Sequence, residues 1–489
     1  MSGNTDLTSF IGPTGPTGAQ GVSAVGSVIT GASGTTYTLN TPSLSDFLCT
    51  NVIYNGNSAI LPIAGYGLSG TATAITVDSS GLVYIGGHFT NLAPLALPVT
   101  GLNRIAKYNP STDTFSALAG YGLNNTVYAL AVASNGLVYI GGSFSAVGTG
   151  GTAVTGLNRI AKYNPTSSTI AGVSANSFAP LARYGLNNIV YALAVASNGL
   201  VYIGGTFTAV GTGGTAVTGL NRIAIYNPST DTFSALAGYG LNNLVNALAV
   251  DSSGLLYIGG AFVTVGTGGT AVSGLNRMAI YNPTSSTLAG VSANSFAPVA
   301  GNGLNNGVNS LVFDSSGILY IGGTFTAVGG GTAVTGLNYI AKYNPSTDTF
   351  SALAGYGLGS NVNAFAFDSN GLLYIGGTFT DVGSVTGILG VYKITTYNPT
   401  LDSFTPTFGY GLGNTVSALV FSSGVLYIGG NFGNFNTGGP AVTGINNIVG
   451  FKPNNVLSIV YNSNIIIKLY QYGNKATVFY DKNTWNSIL

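Results

Sequence analysis

Any chemistry in this chain would have to come from very few side chains. Its 489 residues include one histidine, His88, one cysteine, Cys49, twelve acidic residues that are all aspartate, and no glutamate. General acid–base catalysis needs carboxylates or imidazoles gathered in one pocket, yet the aspartates fall mostly on repeated positions. Asp113, Asp231 and Asp348 occupy one kind of turn, while Asp78, Asp251, Asp314 and Asp368 occupy another, ahead of Ser-Gly or Asn-Gly. Aspartate favours turns because its carboxylate bonds nearby backbone. That is the role expected of both sets, with a weak cation site in the turns as the other reading. Ala133, Ala196 and Phe421 replace the second aspartate in three units, which argues against a site that every unit needs.

One His with one Cys cannot build a zinc centre or a two-histidine copper site. No Ser-His-Asp set is possible without His88, and no nucleophile elbow surrounds it. No Gly-x-Gly-x-x-Gly opens a helix, so the many Gly-Gly pairs are expected to end strands and not to hold phosphate. The expectation is therefore no cofactor, no metal site and no catalytic residue: a chain that is not an enzyme.

Two repeated sets remain. Arg104, Arg159, Arg222 and Arg277 recur in Gly-Leu-Asn-Arg, with Tyr339 and Asn447 at the matching place in two other units. A ring of arginines could grip an anion, but packed stems with heads in solvent are the expectation. The second set is Tyr66, Tyr121, Tyr184, Tyr239, Tyr356 and Tyr410, each followed by Gly-Leu, with Asn302 in the remaining unit. Tyrosine combines an apolar ring with a hydroxyl, a common means of holding sugars or protein partners. These six are the candidate ligand-binding residues; packing between repeats is the alternative.

The elements that position them follow from a repeat. Tyr-Ile-Gly-Gly occurs seven times, at Tyr84, Tyr139, Tyr202, Tyr257, Tyr320, Tyr374 and Tyr427, at intervals of 55, 63, 55, 63, 54 and 53 residues. A period near fifty with several short strands per unit points to a propeller or solenoid. In residues 121–183 the apolar runs Val127–Val132, Leu137–Ile140, Asn158–Tyr163 and Ser177–Leu181 are separated by Gly, Asn and Pro, the pattern of a four-stranded meander. The loop between third and fourth strands is eight residues longer in units two and four, so a two-unit block recurs every 118 residues. The fold expected is all-β, a seven-bladed β-propeller with four-stranded blades.

Leu-Val-Tyr-Ile-Gly-Gly, a variable loop, then Ile-Ala-Lys-Tyr-Asn-Pro-Ser-Thr-Asp-Thr-Phe resembles a kelch-type blade, over about residues 65–452. Phe115, Phe178, Phe233, Phe296, Phe350 and Phe404 stand where that family usually has Trp. The shared motifs are structural, so the resemblance implies a fold and no activity.

Residues 58–68 match the end of a blade, as in 114–123. Segment 58–64 should therefore complete blade seven beside strands at 415–421, 425–432 and 446–452, removing the open sheet edge. The expected domains are a collagen-like stem or flexible tail at 1–34, a β-module in two parts at 35–57 and 454–489, and the propeller at 58–453. Thr35–Leu39 with 46–48, and the alternating tail around Ala476–Tyr480, resemble small β-modules of viral fibre proteins; two independent hairpins are the other reading. Gly12-Pro-Thr-Gly15-Pro-Thr-Gly18-Ala-Gln-Gly21 repeats glycine every third residue. It resembles the longer Gly-Pro-Thr tracts of giant-virus and bacterial spore-surface proteins, and would serve as a trimerising or anchoring stem or be a flexible relic.

Charged residues are 5% of the chain and the net charge is +1, leaving no field to attract nucleic acid or anionic membrane. Near-zero charge favours association. The opening residues have neither a basic nor an apolar stretch of a secretory signal, and no apolar run reaches the length of a membrane span. The expectation is a structural, fibre-like or host-attachment protein on a virion surface, or on a bacterial spore surface. It would self-associate or meet other particle-surface proteins. The rival is a carbohydrate-binding, lectin-like propeller that meets host glycans through its tyrosine face.

Overall fold

The computed structural model describes residues 60–453 apart from 66, 94–98, 215, 238, 267, 270–271, 331–333, 355, 384–390, 409–410 and 436–444; beyond these it describes only the backbone of five strands. Those five are Gly26–Thr30 paired with Thr36–Asn40, and a three-stranded sheet of Val456–Tyr461, Ile465–Tyr472 and Lys475–Phe479. The collagen-like segment and residues 46–48 lie outside the described residues. Ile60–Phe451 forms one compact unit, and the segments before and after it belong to another.

The breakers cut the chain into strands too short to bury a core alone, so each group of four folds back on itself and stacks on its neighbours. Seven four-stranded antiparallel sheets result. Blade one is Ala72–Val77, Val83–Gly87, Ile105–Asn109 and Thr114–Ala117. Blade two is Val127–Val132, Val138–Gly142, Ile160–Asn164 and Ser177–Pro180, close to the runs read from the sequence. Blades three to six begin at Val190, Val245, Val308 and Val362. Blade seven joins Val416–Ser422, Val425–Gly430 and Ile448–Phe451 to Ile60–Pro62. The closing register is antiparallel, Ile60 opposite Phe451 and Pro62 opposite Val449. First strands neighbour one another all round, the last beside the first, so the ring closes with the first strands innermost.

The core lies between blades. Leu137, Tyr139 and Leu181 of blade two pack on Val190, Ile203 and Phe207 from blade three; at the seam, Tyr427 and Ile448 of blade seven pack on Ile85 and Phe89. Burial lifts the Tyr139 hydroxyl pKa to about 12, with Asp231 adding to the effect.

The Gly-Gly pairs are the last two residues of the second strands, as expected from sequence, and they are buried. Their reason is close approach. A Cβ on Gly141 would lie 2.4 Å from Val190 Cγ1, and one on Gly204 equally close to Val245 Cγ1, each valine opening the next blade. The second glycine faces backbone, a Cβ on Gly142 lying 2.2 Å from the Thr126 carbonyl oxygen. At the seam the valine is replaced by Ala72, whose Cβ would be 2.9 Å from one on Gly429.

Candidate functional site

The recurring tyrosines are placed by three anchors. Asn103, from the Gly-Leu-Asn-Arg of blade one, donates its amide to the Tyr121 carbonyl at 3.0 Å; Asn158, Asn221 and Asn338 do the same for Tyr184, Tyr239 and Tyr356. Gly122 has a φ of +59° and sits against the Asn103 carbonyl, where any side chain would clash. Leu123 then pairs with Val147 in the following blade's second-to-third-strand loop, as Leu186 does with Val210 and Leu241 with Val265. Each tyrosine connection is thereby fastened to loops of the blade before and the blade after, on one face of the ring.

The rings are outside the inter-blade core. Tyr121 is 42% exposed, Tyr184 38%, Tyr239 42% and Tyr356 46%. These four make up most of the exposed large hydrophobic side chains among the described residues, the others being Leu61, Val263 and Leu401. Tyr66 and Tyr410 lie outside the described residues. The tyrosines rest on glycine: a Cβ on Gly150 would be 3.2 Å from Tyr121 Cε1, and on Gly213 3.0 Å from Tyr184 Cε1. The loops beneath, 144–158, 207–221 and 262–276, contain no charged residue. Arg183, exposed beside Tyr184, is the cation of that connection.

The arginines differ from expectation. Their heads are not in open solvent: Arg159 is half-buried and donates from Nη1 to the Ser143 carbonyl at 2.5 Å, and Arg104 and Arg222 donate likewise to His88 and Thr206. Each holds a left-handed backbone, φ +63° at Arg159, a conformation repeated at Tyr339, Lys393 and Asn447. Lys393 reaches the Thr378 carbonyl at 2.8 Å. The cation therefore ties down the end of the second strand, whose carbonyl faces it across the loop, and is not presented to an anion.

The aspartates divide. Asp78 and Asp251 bond their own turns, accepting from Ser80 N and Leu82 N, and from Ser253 N and Leu255 N. Asp113, Asp231 and Asp348 correct the turn reading, because their carboxylates join blades. Asp231 of blade three accepts from the Ala182 amide at 3.1 Å and the Tyr226 hydroxyl at 2.6 Å, and pairs with Lys162 of blade two at 3.5 Å. Asp113 and Asp348 hold Ala64 and Ala300 in the same way, and Asp402 holds Ala354 and Lys342. In blades two and four the long loop supplies Asn176 and Asn294, which accept from Tyr163 and Tyr281. Burial raises the Asp231 pKa, but the Tyr226 hydroxyl, the Ala182 amide and Lys162 outweigh it and hold the carboxyl below its usual value.

Near the axis, His88 Nδ1 lies 3.2 Å from Thr126 Oγ1, its ring edge-on to Tyr128, which in turn tilts against Tyr191 at 5.0 Å. Partial burial and Arg104 lower the imidazole pKa. Among the described residues, no three His, Cys, Asp or Glu side chains gather as metal ligands. Nor is any helix there long and apolar enough to cross a membrane.

No protein-family model matches the chain, and no curated protein matches it. Among solved structures it is similar to a computationally designed protein, Ika8, at 15% identity and TM-score 0.40, over 86% of this chain and 100% of the other. It is also similar to the WD40 β-propeller domain of Doa1, at 12% identity and TM-score 0.46, over 80% and 94%. A chain of the mitotic checkpoint complex matches at 12% and 0.45, over 85% and 97%. The seven-bladed assignment rests on the strand pairing described above.

Proposed function

We propose that this protein is a non-enzymatic structural or attachment protein on the surface of a large virus particle, working through repeated loop contacts. The observation that carries this reading is the ring of exposed tyrosines, held at Tyr121, Tyr184, Tyr239 and Tyr356 on one face. Binding residues concentrate on loops fixed by a rigid scaffold, and a seven-bladed propeller suits a protein-interaction or scaffold role. The particle setting is supported by the 5% charged composition and by the resemblance of the Gly-Pro-Thr segment to particle-surface tracts. The charged groups that could have served chemistry are occupied: Asp231 and Asp402 bridge blades, and Arg159 and Arg222 bind loop carbonyls.

The test is mass spectrometry and surface labelling of purified particles, followed by reconstitution with the triple variant Tyr121→Ala, Tyr184→Ala, Tyr239→Ala. Presence at the surface, with attachment weakened in the variant, is the expected result. Absence from particles, or attachment indifferent to all three changes, would sink the proposal.

A further inference from the structure

We infer that each exposed tyrosine, seated on its glycine loop, is a subsite for a neutral saccharide, so that the face binds a glycan at several blades at once. The inference rests on the proposed contact role of this face and names the partner's chemistry. The rings of Tyr121, Tyr184, Tyr239 and Tyr356 are open to solvent, and the loop beside Tyr121 is rich in Gly and Thr, as in Val147–Thr152. Protein partners are usually held by clustered aromatic and arginine anchors near the centre of a patch, surrounded by residues that exclude water. Separate single rings on successive blades, without such a cluster, fit a ligand that repeats a small apolar face of its own. A pyranose does so: its C–H face meets the electron-rich face of an aromatic ring, while its hydroxyls turn to water and polar neighbours.

The glycine seat makes room. Any side chain at Gly150, Gly213 or Gly268 would come within about 3.3 Å of a tyrosine Cε1, crowding the ring that is now open. Exposed Thr149 and Thr212 add hydroxyls beside the rings without adding charge. The loops 144–158, 207–221 and 262–276 carry no charge, so neutral sugars suit the Tyr121 and Tyr239 subsites. Arg183, exposed beside Tyr184, is the cation whose effect the charged glycans on the array measure. The guanidiniums of Arg159 and Arg222 below are bound to carbonyls. One ring gives weak binding, but linked subsites raise avidity by roughly a hundredfold or more when geometry allows them to engage together.

The test uses the full chain on an array of neutral oligomers of glucose, galactose, mannose and N-acetylglucosamine, with sialylated and sulfated glycans alongside. Neutral oligomers should bind, longer ones more strongly. The triple Tyr→Ala variant should lose at least tenfold of that signal at an unchanged thermal midpoint, and the triple Tyr→Phe variant should keep most of it. Should the triple Ala variant fold poorly, the single variants Tyr121→Ala and Tyr239→Ala carry the comparison. A blank array, binding of charged glycans alone, or neutral binding indifferent to the Ala changes overturns the inference. Particle attachment separates the two ideas. If attachment depends on the tyrosines while the array stays blank, only the saccharide assignment falls; if neither responds, both fall.

Discussion

Tyr202 isolates what a single buried hydroxyl costs in this ring. Its counterpart Tyr84 donates to Asp78 at 3.0 Å, but blade three has Ala196 where blade one has Asp78, and the Tyr202 hydroxyl is buried with no partner. An unsatisfied buried polar group costs about 1–3 kcal/mol, whereas a made hydrogen bond contributes about 1. Tyr202→Phe should therefore leave the thermal midpoint unchanged or raise it, while Tyr84→Phe lowers stability by about 1 kcal/mol. Equal losses in calorimetry would show that the two hydroxyls are alike. Gly204 provides a second comparison. A methyl there meets Val245 Cγ1 at 2.4 Å, and overpacking a core typically costs about 1–3 kcal/mol. Gly204→Ala should be destabilised, and Val245→Ala in the same chain should recover part of the loss; additive losses would place the strain elsewhere.

At the scale of the blade, the inter-blade carboxylates set an acid limit. Asp402, like Asp231, has a lowered pKa: burial opposes the shift, and the Tyr397 hydroxyl, the Ala354 amide and Lys342 produce it. A depressed folded pKa contributes stability above the unfolded value, near 4, and loses it as pH falls through the folded value. Both carboxylates are partly exposed, at 43% and 53%, so solvent screens each contribution. The midpoint should hold steady at neutral pH and fall below about pH 4. The double variant Asp231→Asn, Asp402→Asn should start lower and fall less steeply; parallel curves would remove these groups from the acid transition. The strands were legible because each is written locally and seven times over, and the closing strand because 58–68 repeats the end of a blade. The clamp was not, because Asp231 and Ala182 belong to different blades and nothing near either marks the pairing. One signal existed: Asp113, Asp231 and Asp348 alternate with Asn176 and Asn294 along the two-blade block. The glycine pairs were legible as strand ends, but the reason for glycine there lies in the next blade's valine, which no local segment shows. The tyrosine face was legible as a set of positions, but whether the rings packed inward or stood out depended on anchors such as Asn103.

For the whole molecule, the ring depends on a strand of three residues, Ile60–Pro62. Deleting residues 1–62 would leave Ile448–Phe451 as an unpaired edge, and such edges recruit other chains. The truncated protein should unfold at lower temperature and associate with increasing concentration in sedimentation velocity. A monomer as stable as the full chain would make the closing strand dispensable.

That closure also decides how the ring bears force. The chain enters the ring at Ile60 and leaves it at Phe451, and these two residues stand opposite each other at the same end of an antiparallel pair. Tension that draws the two tails apart would peel this pair open one rung at a time, like a zip started at its open end. Tension on both tails in one direction would put no separating load across the pair. A ring tethered through both tails side by side is thus far harder to tear open than one stretched between separate anchors.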